Sequence, residues 1–333
     1  MEKEALFYKK LKNKIVQCNL CPHFCVINPG ERGKCKVRQN QDGKLISLVY
    51  NKPCSVAIDP IEKKPLYHFM PGKKTLSIAT AGCNLACSMC QNYTISQVNP
   101  ETIDTLNLTP EEVVESCKKN NLKIISFTYT EPTIFYEYML DIAKLAKKAK
   151  IKCIIVSNGY INKEPLKKLL TYVKAANIDL KGNSLFYEQI CGGKIEPVLE
   201  TLKFLKEKGV WFEITNLIVP GYNDNVDEFK KTVTWIKENL GTDIPLHLSA
   251  FYPCYKLNNI QATDPALLVK LRIIAKSLGL KYVYTGNIND IDGSTTFCPK
   301  CGQAVLVRKN FTPIENKLKR GKCCKEKIPG VWQ

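Results

Sequence analysis

Residues 75–92 read TLSIATAGCNLACSMCQN, an apolar run followed at once by three closely spaced cysteines. These are Cys83, Cys87 and Cys90, in the spacing C-x3-C-x2-C. Three thiolates on a short loop can each bind one iron of a [4Fe–4S] cube, and this segment offers no fourth cysteine. One iron then keeps an open position, as catalytic metals require. The spacing alone also fits a zinc loop or an electron-transfer cluster, so the surrounding pattern matters.

Outward from this stretch, apolar runs rich in β-branched residues alternate with amphipathic segments. Predicted strands cover 75–80, 124–129, 153–157, 175–180, 212–219 and 246–250, with a shorter one at 282–284. The gaps between them show helical spacing. Alternating strands and helices imply a parallel sheet with right-handed crossovers. We therefore predict an α/β fold, a partial (β/α)6 TIM-like barrel, with its chemistry at the carboxyl ends of the strands.

The chain divides into three predicted parts. Residues 1–70 form a short, turn-rich N-terminal module, residues 71–290 the partial barrel, and residues 291–333 a basic tail that resembles a zinc ribbon. The N-terminal module carries four cysteines that offer a closed thiolate site, namely Cys18, Cys21, Cys25 and Cys35. Four sulfurs suit either zinc or an auxiliary iron–sulfur cluster, and we favour zinc as a staple for this small module.

The tail begins like a zinc ribbon, with Cys298 and Cys301 in a C-x2-C pair. Where a second such pair is expected, the sequence has the adjacent residues Cys323 and Cys324. Because adjacent cysteines rarely ligate one ion without strain, we expect Cys298, Cys301 and Cys323 to bind zinc with an outside ligand. The alternative is that the site is degraded.

Composition limits the classes of function. The start of the chain lacks the apolar segment of a signal peptide, and no run is apolar enough to span a membrane, so we expect a cytoplasmic location. Sixteen cysteines in a cytoplasmic chain favour metal binding over disulfides. The net charge of +18 favours contact with RNA. Alternatively, the positive charge comes from a lysine-rich composition that reflects genome bias or a thermophilic source.

With its preceding strand and following barrel pattern, the C-x3-C-x2-C motif resembles that of the radical S-adenosylmethionine (SAM) superfamily. The resemblance implies that the open iron chelates SAM, which one electron cleaves to a 5′-deoxyadenosyl radical that removes hydrogen from a substrate. Met89 stands where the family usually has an aromatic residue. Thr128-Tyr129-Thr130-Glu131-Pro132 resembles the family's Gly-Gly-Glu-Pro element, which implies that Glu131 contacts the SAM ammonium. The alternative role for Glu131 is capping the next helix.

Polar residues at later strand ends extend the resemblance. It implies that Asn158 lies near the ribose or methionine part of SAM, that Asp179 binds a ribose hydroxyl and that Lys181 binds a carboxylate. The alternatives are a plain turn at Asn158 and a rim ion pair between Asp179 and Lys181. Asn216 and His247 occupy strand positions at which related activases have SAM contacts, although His247 could equally be a buried structural residue.

A closer resemblance covers nearly the whole chain. Residues 58–72, 90–97 and 190–193, the N-terminal cysteines and the ribbon-like tail together resemble AmmeMemoRadiSam-system radical SAM enzymes, which are similar to pyruvate formate-lyase activating enzymes. This resemblance implies partners of the AMMECR and Memo families. A flavodoxin- or ferredoxin-type protein would supply electrons. The sequence departs from the family pattern at Met89 and at the adjacent Cys323 and Cys324, which replace the second C-x2-C pair of the ribbon.

Three hypotheses for function follow. The first is a radical SAM enzyme, of oxidoreductase or transferase type, that modifies an RNA base. The second is an activase that generates a glycyl radical on a partner protein, against which the additional terminal modules count. The third is a non-catalytic iron–sulfur electron carrier or interaction module, which leaves the barrel pattern unexplained.

Overall fold

The structure is a computed structural model that describes residues 3–332. Its strands, in chain order, are β1 (Lys3–Glu4), β2 (Tyr8–Lys10), β3 (Val16–Cys18), β4 (Val26–Ile27), β5 (Arg38–Gln41), β6 (Lys44–Ser47), β7 (Pro53–Pro60), β8 (Lys74–Thr80), β9 (Ile124–Phe127), β10 (Lys152–Ser157), β11 (Val173–Asp179), β12 (Trp211–Ile218), β13 (Leu246–Ala250), β14 (Val283–Gly286), β15 (Thr296–Phe297), β16 (Ala304–Lys309), β17 (Thr312–Asn316), β18 (Lys322–Cys323) and β19 (Glu326–Lys327).

The α-helices, in the same order, are α1 (Tyr93–Ser96), α2 (Pro110–Lys119), α3 (Tyr136–Lys148), α4 (Lys163–Leu169), α5 (Ser184–Phe186), α6 (Glu196–Glu207), α7 (Val226–Leu240), α8 (Pro265–Ser277) and α9 (Ile291–Ser294). Single 3-10 turns lie at Lys12–Lys14, Ile61–Lys63, Pro100–Thr102 and Pro132–Phe135, and one π-helical turn lies at Tyr187–Cys191. None of the helices in residues 3–332 has the length and apolar character needed to cross a membrane.

Eight strands form the central sheet, in the order β14-β13-β12-β11-β10-β9-β8-β7. Every neighbouring pair from β8 to β14 is parallel, and β7 pairs antiparallel with β8 at the edge. A helix follows each of the strands β8 to β13, as parallel crossovers require. The predicted α/β partial barrel is therefore confirmed, and the short strand predicted at 282–284 is its seventh parallel strand.

Helix α2 shows how local sequence builds this layer. The Thr109 side chain accepts a hydrogen bond from Glu112 N while the Glu112 carboxylate accepts one from Thr109 N, and Pro110 occupies the first turn. This capping box satisfies amide groups that the first turn leaves without helical partners. The face of the helix that packs against the core carries the buried side chains of Val113, Val114 and Cys117. Cys117 thus fills the core as a small apolar residue.

Two three-stranded sheets, β1-β6-β5 and β2-β3-β4, make up the N-terminal module. A buried ion pair between Arg38 of β5 and Glu137 of α3 ties it to the barrel. Leu6 N also donates to Glu137 Oε1 at 2.7 Å. Strand β7 falls within the region predicted as this module, yet it is the edge strand of the central sheet. The sheet therefore begins before residue 71, the predicted boundary.

The tail forms the sheet β15-β16-β17 and the hairpin β18-β19. It returns to the barrel at the connection between β7 and β8. Met70 N donates to Val331 O at 2.6 Å, and Arg308 Nη2 donates to Tyr67 O at 2.6 Å. Arg308 is fully buried, with its guanidinium 4.2 Å from the centre of the Tyr67 ring. The tail therefore packs against the barrel at the connection between β7 and β8.

Candidate functional site

The three motif cysteines lie on the loop that follows β8, at the carboxyl end of this strand. Backbone hydrogen bonds hold this loop from two sides. Ala86 N donates to Cys191 O at 2.8 Å and Ser88 N donates to Ile190 O at 2.9 Å, while Lys256 N donates to Ser88 O at 3.1 Å. The π-helical turn and the loop after β13 therefore fix a segment that has little regular structure of its own.

Gly82, the residue before the first motif cysteine, lies close against the N-terminal module. Its φ is +94°, and a Cβ there would lie 2.7 Å from both Cys35 O and Val37 Cγ1. Glycine is required on both counts, since it tolerates positive φ and leaves room for a close backbone approach. His23 Nε2 also lies 2.6 Å from Asn84 O. The motif loop thus packs directly on the four-cysteine module.

The spacing of the sulfurs tests whether the motif fits an iron–sulfur cube. A tetrahedral zinc ion, with Zn–S bonds of about 2.3 Å, brings its sulfurs to about 3.8 Å from one another. Within residues 3–332, the sulfurs of Cys83, Cys87 and Cys90 do not all lie within 4.8 Å of one another. A cube binds each sulfur through a different iron and requires the wider spacing. The trio is therefore not preorganised for a tetrahedral zinc ion, and its three thiolates on one loop suit three irons of a cube.

The three thiols differ in their surroundings. Burial raises the pKa of Cys83 and the pKa of Cys90. A hydrogen bond from Cys191 lowers the pKa of Cys87, and the charge of Lys181 acts in the same direction. Metal ligation needs the thiolate, which these two neighbours favour at Cys87. Cys191 lies outside the three cysteine clusters of the sequence, so its contact with a motif cysteine was not predicted.

A cavity of about 610 Å³ lies beside the motif loop, and all three motif cysteines line it. Four of the predicted cofactor-binding residues share this wall, namely Asn158, Asp179, Lys181 and His247. Asn158 Nδ2 donates to Asn84 Oδ1 at 2.9 Å and lies 3.8 Å from Cys83 Sγ. The carboxyl ends of neighbouring parallel strands meet here, which brings these side chains together.

Asp179 and Lys181 form an ion pair, with Lys181 Nζ 2.7 Å from Asp179 Oδ2. Burial opposes the charge of Lys181, but Asp179 and Cys87 outweigh it and raise the pKa of Lys181 well above its usual value. Lys181 is therefore a permanent cation beside the motif loop. The predicted ion pair and the predicted position at the site are both present.

Two predicted cofactor contacts do not lie on the cavity wall. Glu131 is fully buried and accepts hydrogen bonds from Thr133 N, Ser157 Oγ and Asn158 N at 2.8–2.9 Å. It makes the capping contact of the alternative interpretation and also contacts the end of β10. Asn216 donates to Leu180 O at 2.7 Å and faces away, since Thr215 and Leu217 line the cavity and side chains alternate along a strand.

His247 lies at the site and is also a buried structural residue, so both interpretations of it apply. It lines the cavity and belongs to a buried polar layer. Its Nε2 lies 2.7 Å from Glu213 Oε2. Glu213 also accepts hydrogen bonds from Tyr67 N at 2.9 Å and His68 N at 2.8 Å. These contacts anchor the connection between β7 and β8 inside the barrel. His247 therefore helps to hold the floor of the cavity.

Tyr129 lies where the superfamily resemblance predicts glycine. Its φ is +65°, in the left-handed region, so the backbone keeps the conformation of a glycine. For a tyrosine this conformation costs about 1–2 kcal/mol. The Tyr129 hydroxyl donates to Asp59, and Lys64 Nζ lies 4.2 Å from the centre of its ring. Strain of this kind is retained where a side chain has a specific task.

Lys63, Lys64 and Tyr129 line the cavity around the carboxylate of Asp59. We call these four residues the Asp59 cluster. Lys64 Nζ lies 2.7 Å from Asp59 Oδ2 and Lys63 Nζ lies 3.0 Å from Asp59 Oδ1. Burial lowers the pKa of Lys64 to about 8. No motif in the sequence predicts this cluster, although residues 58–72 contain three of its members.

The tail brings four cysteines together, including one that was not expected. The sulfurs of Cys298, Cys301, Cys323 and Cys324 all lie within 4.8 Å of one another. The Cys298–Cys324 and Cys301–Cys323 sulfur distances are 3.6 and 3.7 Å, close to the spacing around a tetrahedral zinc ion. A φ of +42° at Cys324 turns the chain between the adjacent cysteines. No outside ligand is needed, which corrects the three-cysteine prediction.

The four N-terminal cysteines also converge. Cys18, Cys21, Cys25 and Cys35 line a second, smaller cavity together with Arg38. Arg38 Nη1 donates to Cys18 Sγ at 3.3 Å. Burial raises the pKa of Cys21 to about 12 and the pKa of Cys35 to about 11.

Comparisons with known proteins agree with this geometry. A family model of the radical SAM superfamily matches residues 77–236. The uncharacterized protein MJ0808 of Methanocaldococcus jannaschii is 47% identical over 330 residues, which cover 98% of each chain. The pyruvate formate-lyase-activating enzyme of Clostridium pasteurianum is 25% identical over 62% of this chain and 92% of its own.

Among solved structures, Streptococcus suis SuiB bound to S-adenosylmethionine superposes with a TM-score of 0.52 at 16% identity. The likeness covers 69% of this chain and 53% of SuiB, and it concerns the fold. The matched family segment begins within β8 and includes the three motif cysteines. The chain contains a radical SAM domain, at residues 77–236.

Proposed function

We propose that this protein uses a [4Fe–4S] cluster to cleave S-adenosylmethionine reductively, and that the resulting 5′-deoxyadenosyl radical removes hydrogen from an RNA base. One observation carries the first part of this proposal. The cysteine trio, Asn158 and the Asp179–Lys181 pair line a single cavity of about 610 Å³. Both cofactors named by the superfamily therefore have candidate binding groups in one place.

The chain's own residues have distinct tasks in this proposal. Cys83, Cys87 and Cys90 would hold three irons and leave the fourth free for SAM, which supplies the radical chemistry when bound. Lys181 is the cation suited to the carboxylate of SAM, through a charge-assisted hydrogen bond. Asp179 is suited to a ribose hydroxyl as acceptor. Asn158 would fix the position of the loop through its contact with Asn84.

The Asp59 cluster is the proposed substrate side of the cavity. It carries two ammonium groups and one carboxylate, so its net charge of one positive unit favours an anionic or electron-rich substrate group. Phe311, at the turn between β16 and β17, also lines the cavity and is 40% exposed. An exposed aromatic ring beside basic groups suits the stacking of an unpaired base.

Charge supports RNA as the substrate. The net charge is +18, and several basic residues follow each other in the tail that supplies Phe311. They are Arg308, Lys309, Lys317, Lys319, Arg320 and Lys322. Because Arg308 is buried, it cannot contact a phosphate group. Lys309 is exposed and is available for such a contact. Phosphate contacts would position the RNA, and the cavity would select the base.

A glycyl-radical activase is the second candidate, favoured by the relatives. Besides the Clostridium pasteurianum enzyme, the 4-hydroxyphenylacetate decarboxylase activating enzyme of Clostridium scatologenes is 24% identical over 42% of this chain. In this case the substrate would be a backbone glycine of a partner protein. Membership of the AmmeMemoRadiSam system, with AMMECR- and Memo-family partners and a flavodoxin- or ferredoxin-type electron donor, is part of our proposal.

Isotope transfer distinguishes the candidates. The anaerobically reconstituted protein is reduced in the presence of SAM, and 5′-deoxyadenosine is measured. Deuterium should enter 5′-deoxyadenosine from base-deuterated cellular RNA and not from deuterated partner protein; the reverse pattern supports the activase. If intact cluster yields no 5′-deoxyadenosine, catalysis itself is refuted. The Cys87→Ala variant should lose the product, and Cys54→Ser, which changes a cysteine outside the three clusters, should retain it.

A further inference from the structure

The N-terminal four-cysteine site has an inner and an outer side. Cys18 and Cys35 are buried, whereas Cys21 and Cys25 are only half-buried. The inner side meets the motif loop, because Cys35 O is the atom that leaves no room for a Cβ on Gly82. A metal group in this site would therefore be adjacent to the loop that carries the catalytic cysteines.

The spacing of the sulfurs separates this site from the zinc-like site in the tail. In the described part of the chain, only the four tail cysteines include three or more sulfurs within 4.8 Å of one another. The N-terminal four, like the catalytic trio, are spread more widely, although they line one common cavity. A cube needs outer sulfurs roughly 6 Å apart, because each binds a different iron. The same chain thus contains one tight set and two wide sets.

Arg38 is the second feature that distinguishes the site. Its side chain is fully buried, and it donates to Cys18 Sγ at 3.3 Å while it pairs with Glu137. Glu137 offsets the cost of burying this cation, and the contact with Cys18 gives a ligand sulfur a charged hydrogen-bond donor. Hydrogen bonds to ligand sulfurs are one of the means by which proteins tune iron–sulfur clusters.

The outer side carries exposed apolar residues. Phe24 is 48% exposed and Val26 is 59% exposed, and they flank Cys25 in the sequence. Exposed apolar side chains beside a metal ligand suit a transient protein contact. An electron donor bound there would lie beside Cys25, one of the two half-buried cysteines of the site.

From these observations we propose that Cys18, Cys21, Cys25 and Cys35 hold a second iron–sulfur cluster, which passes electrons to the catalytic one. A reduced flavodoxin- or ferredoxin-type protein would give one electron to this cluster. The cluster would then return to its oxidised state as the catalytic cluster gains that electron. The proposal rests on the proposed function only for the identity of the electron acceptor, and it replaces the zinc favoured by the sequence.

Metal content tests the assignment without any activity measurement. The protein is reconstituted anaerobically with iron and sulfide, and iron, sulfide and zinc are counted per chain. We expect about eight irons and one zinc, for two cubes and the tail site. A C83S/C87S/C90S variant should keep about four irons and an electron paramagnetic resonance signal after reduction with dithionite. Two zinc ions per chain, or a triple variant without iron, would overturn the proposal.

A second experiment tests electron transfer. The C18S/C35S variant should keep the four irons of the catalytic cluster, whose reduced signal with dithionite shows that it is intact. With reduced flavodoxin as donor, that cluster should be reduced at least tenfold more slowly than in the unmodified protein. The Cys54→Ser variant should match the unmodified protein. Equal rates in the C18S/C35S variant would overturn the relay while leaving the proposed catalysis untouched.

Discussion

The contact between Gly82 and Cys35 gives a quantitative prediction for Gly82→Ala. Two costs add at this position. Alanine at a φ of +94° costs about 1–2 kcal/mol in backbone strain. Its Cβ would also lie 2.7 Å from a backbone oxygen, which cannot rotate away, and overpacking of this kind costs about 1–3 kcal/mol. The expected loss of stability is therefore about 2–5 kcal/mol.

Gly209 provides a matched control. Its φ is +65°, and a Cβ there would meet nothing within 4 Å. Gly209→Ala should therefore lose only about 1–2 kcal/mol, which is the backbone cost alone. Urea denaturation under anaerobic, reducing conditions gives the free energy of unfolding of both variants. Iron content is the second measurement, and we expect it to fall in Gly82→Ala because the motif loop must shift, while Gly209→Ala keeps its iron.

Equal losses of stability in the two variants would refute the reasoning. In that case the motif loop would not press on the N-terminal module, and the proposed path between the two cysteine sites would lose its basis. A loss in Gly82→Ala that exceeds the control, together with lower iron content, is what the packing of Cys35 against Gly82 requires.

Three further predictions concern other parts of the site. Lys181→Met should weaken SAM binding at least tenfold by isothermal titration calorimetry, whereas the exposed Lys203→Met should leave it unchanged. Lys64 should titrate near pH 8 in nuclear magnetic resonance spectra of the ¹³C-methylated protein, because burial lowers its pKa; titration above pH 10 would contradict that burial. Cys324→Ser should reduce the zinc content from about one ion per chain towards zero, and unchanged zinc would exclude Cys324 as a ligand; Cys54→Ser is the control.

The fold was predictable because its strands are apolar and its helices carry their own start sequences, as Thr109 and Pro110 show for α2. Strand β7 was not predicted, and its sequence explains why. Pro53 and Pro60 bound it, and proline is usually interpreted as a break in a strand. An edge position tolerates proline because it lacks a partner on one side. The pairing with β8 across residues 61–73 could not be inferred from either strand alone.

The sequence predicts the site residues that lie at strand ends, whereas it does not predict which individual side chains along a strand or turn face the cavity. Asp179 and Lys181 reach the cavity because the strand end itself lies there. Asn216 does not, because side chains on a strand alternate and a difference of one residue reverses the face. The position of Cys324 beside the other three sulfurs depends on a left-handed turn at that residue, which its sequence does not predict. The strain at Tyr129 was likewise hidden, since only glycine was expected to adopt that conformation.

The tail contributes to the cavity as well as to the surface. Arg308 is fully buried and donates to Tyr67 O, and Tyr67 lines the same cavity as the cysteine trio. Arg308 Nε also lies 3.9 Å from Glu62 Oε1, so removing the tail would leave a buried carboxylate without its cation. Phe311 reaches the cavity from the strands that follow the first pair of tail cysteines. A metal at the tail cysteines would therefore support the substrate side of the cavity, whereas the N-terminal cysteines support the side of the motif loop.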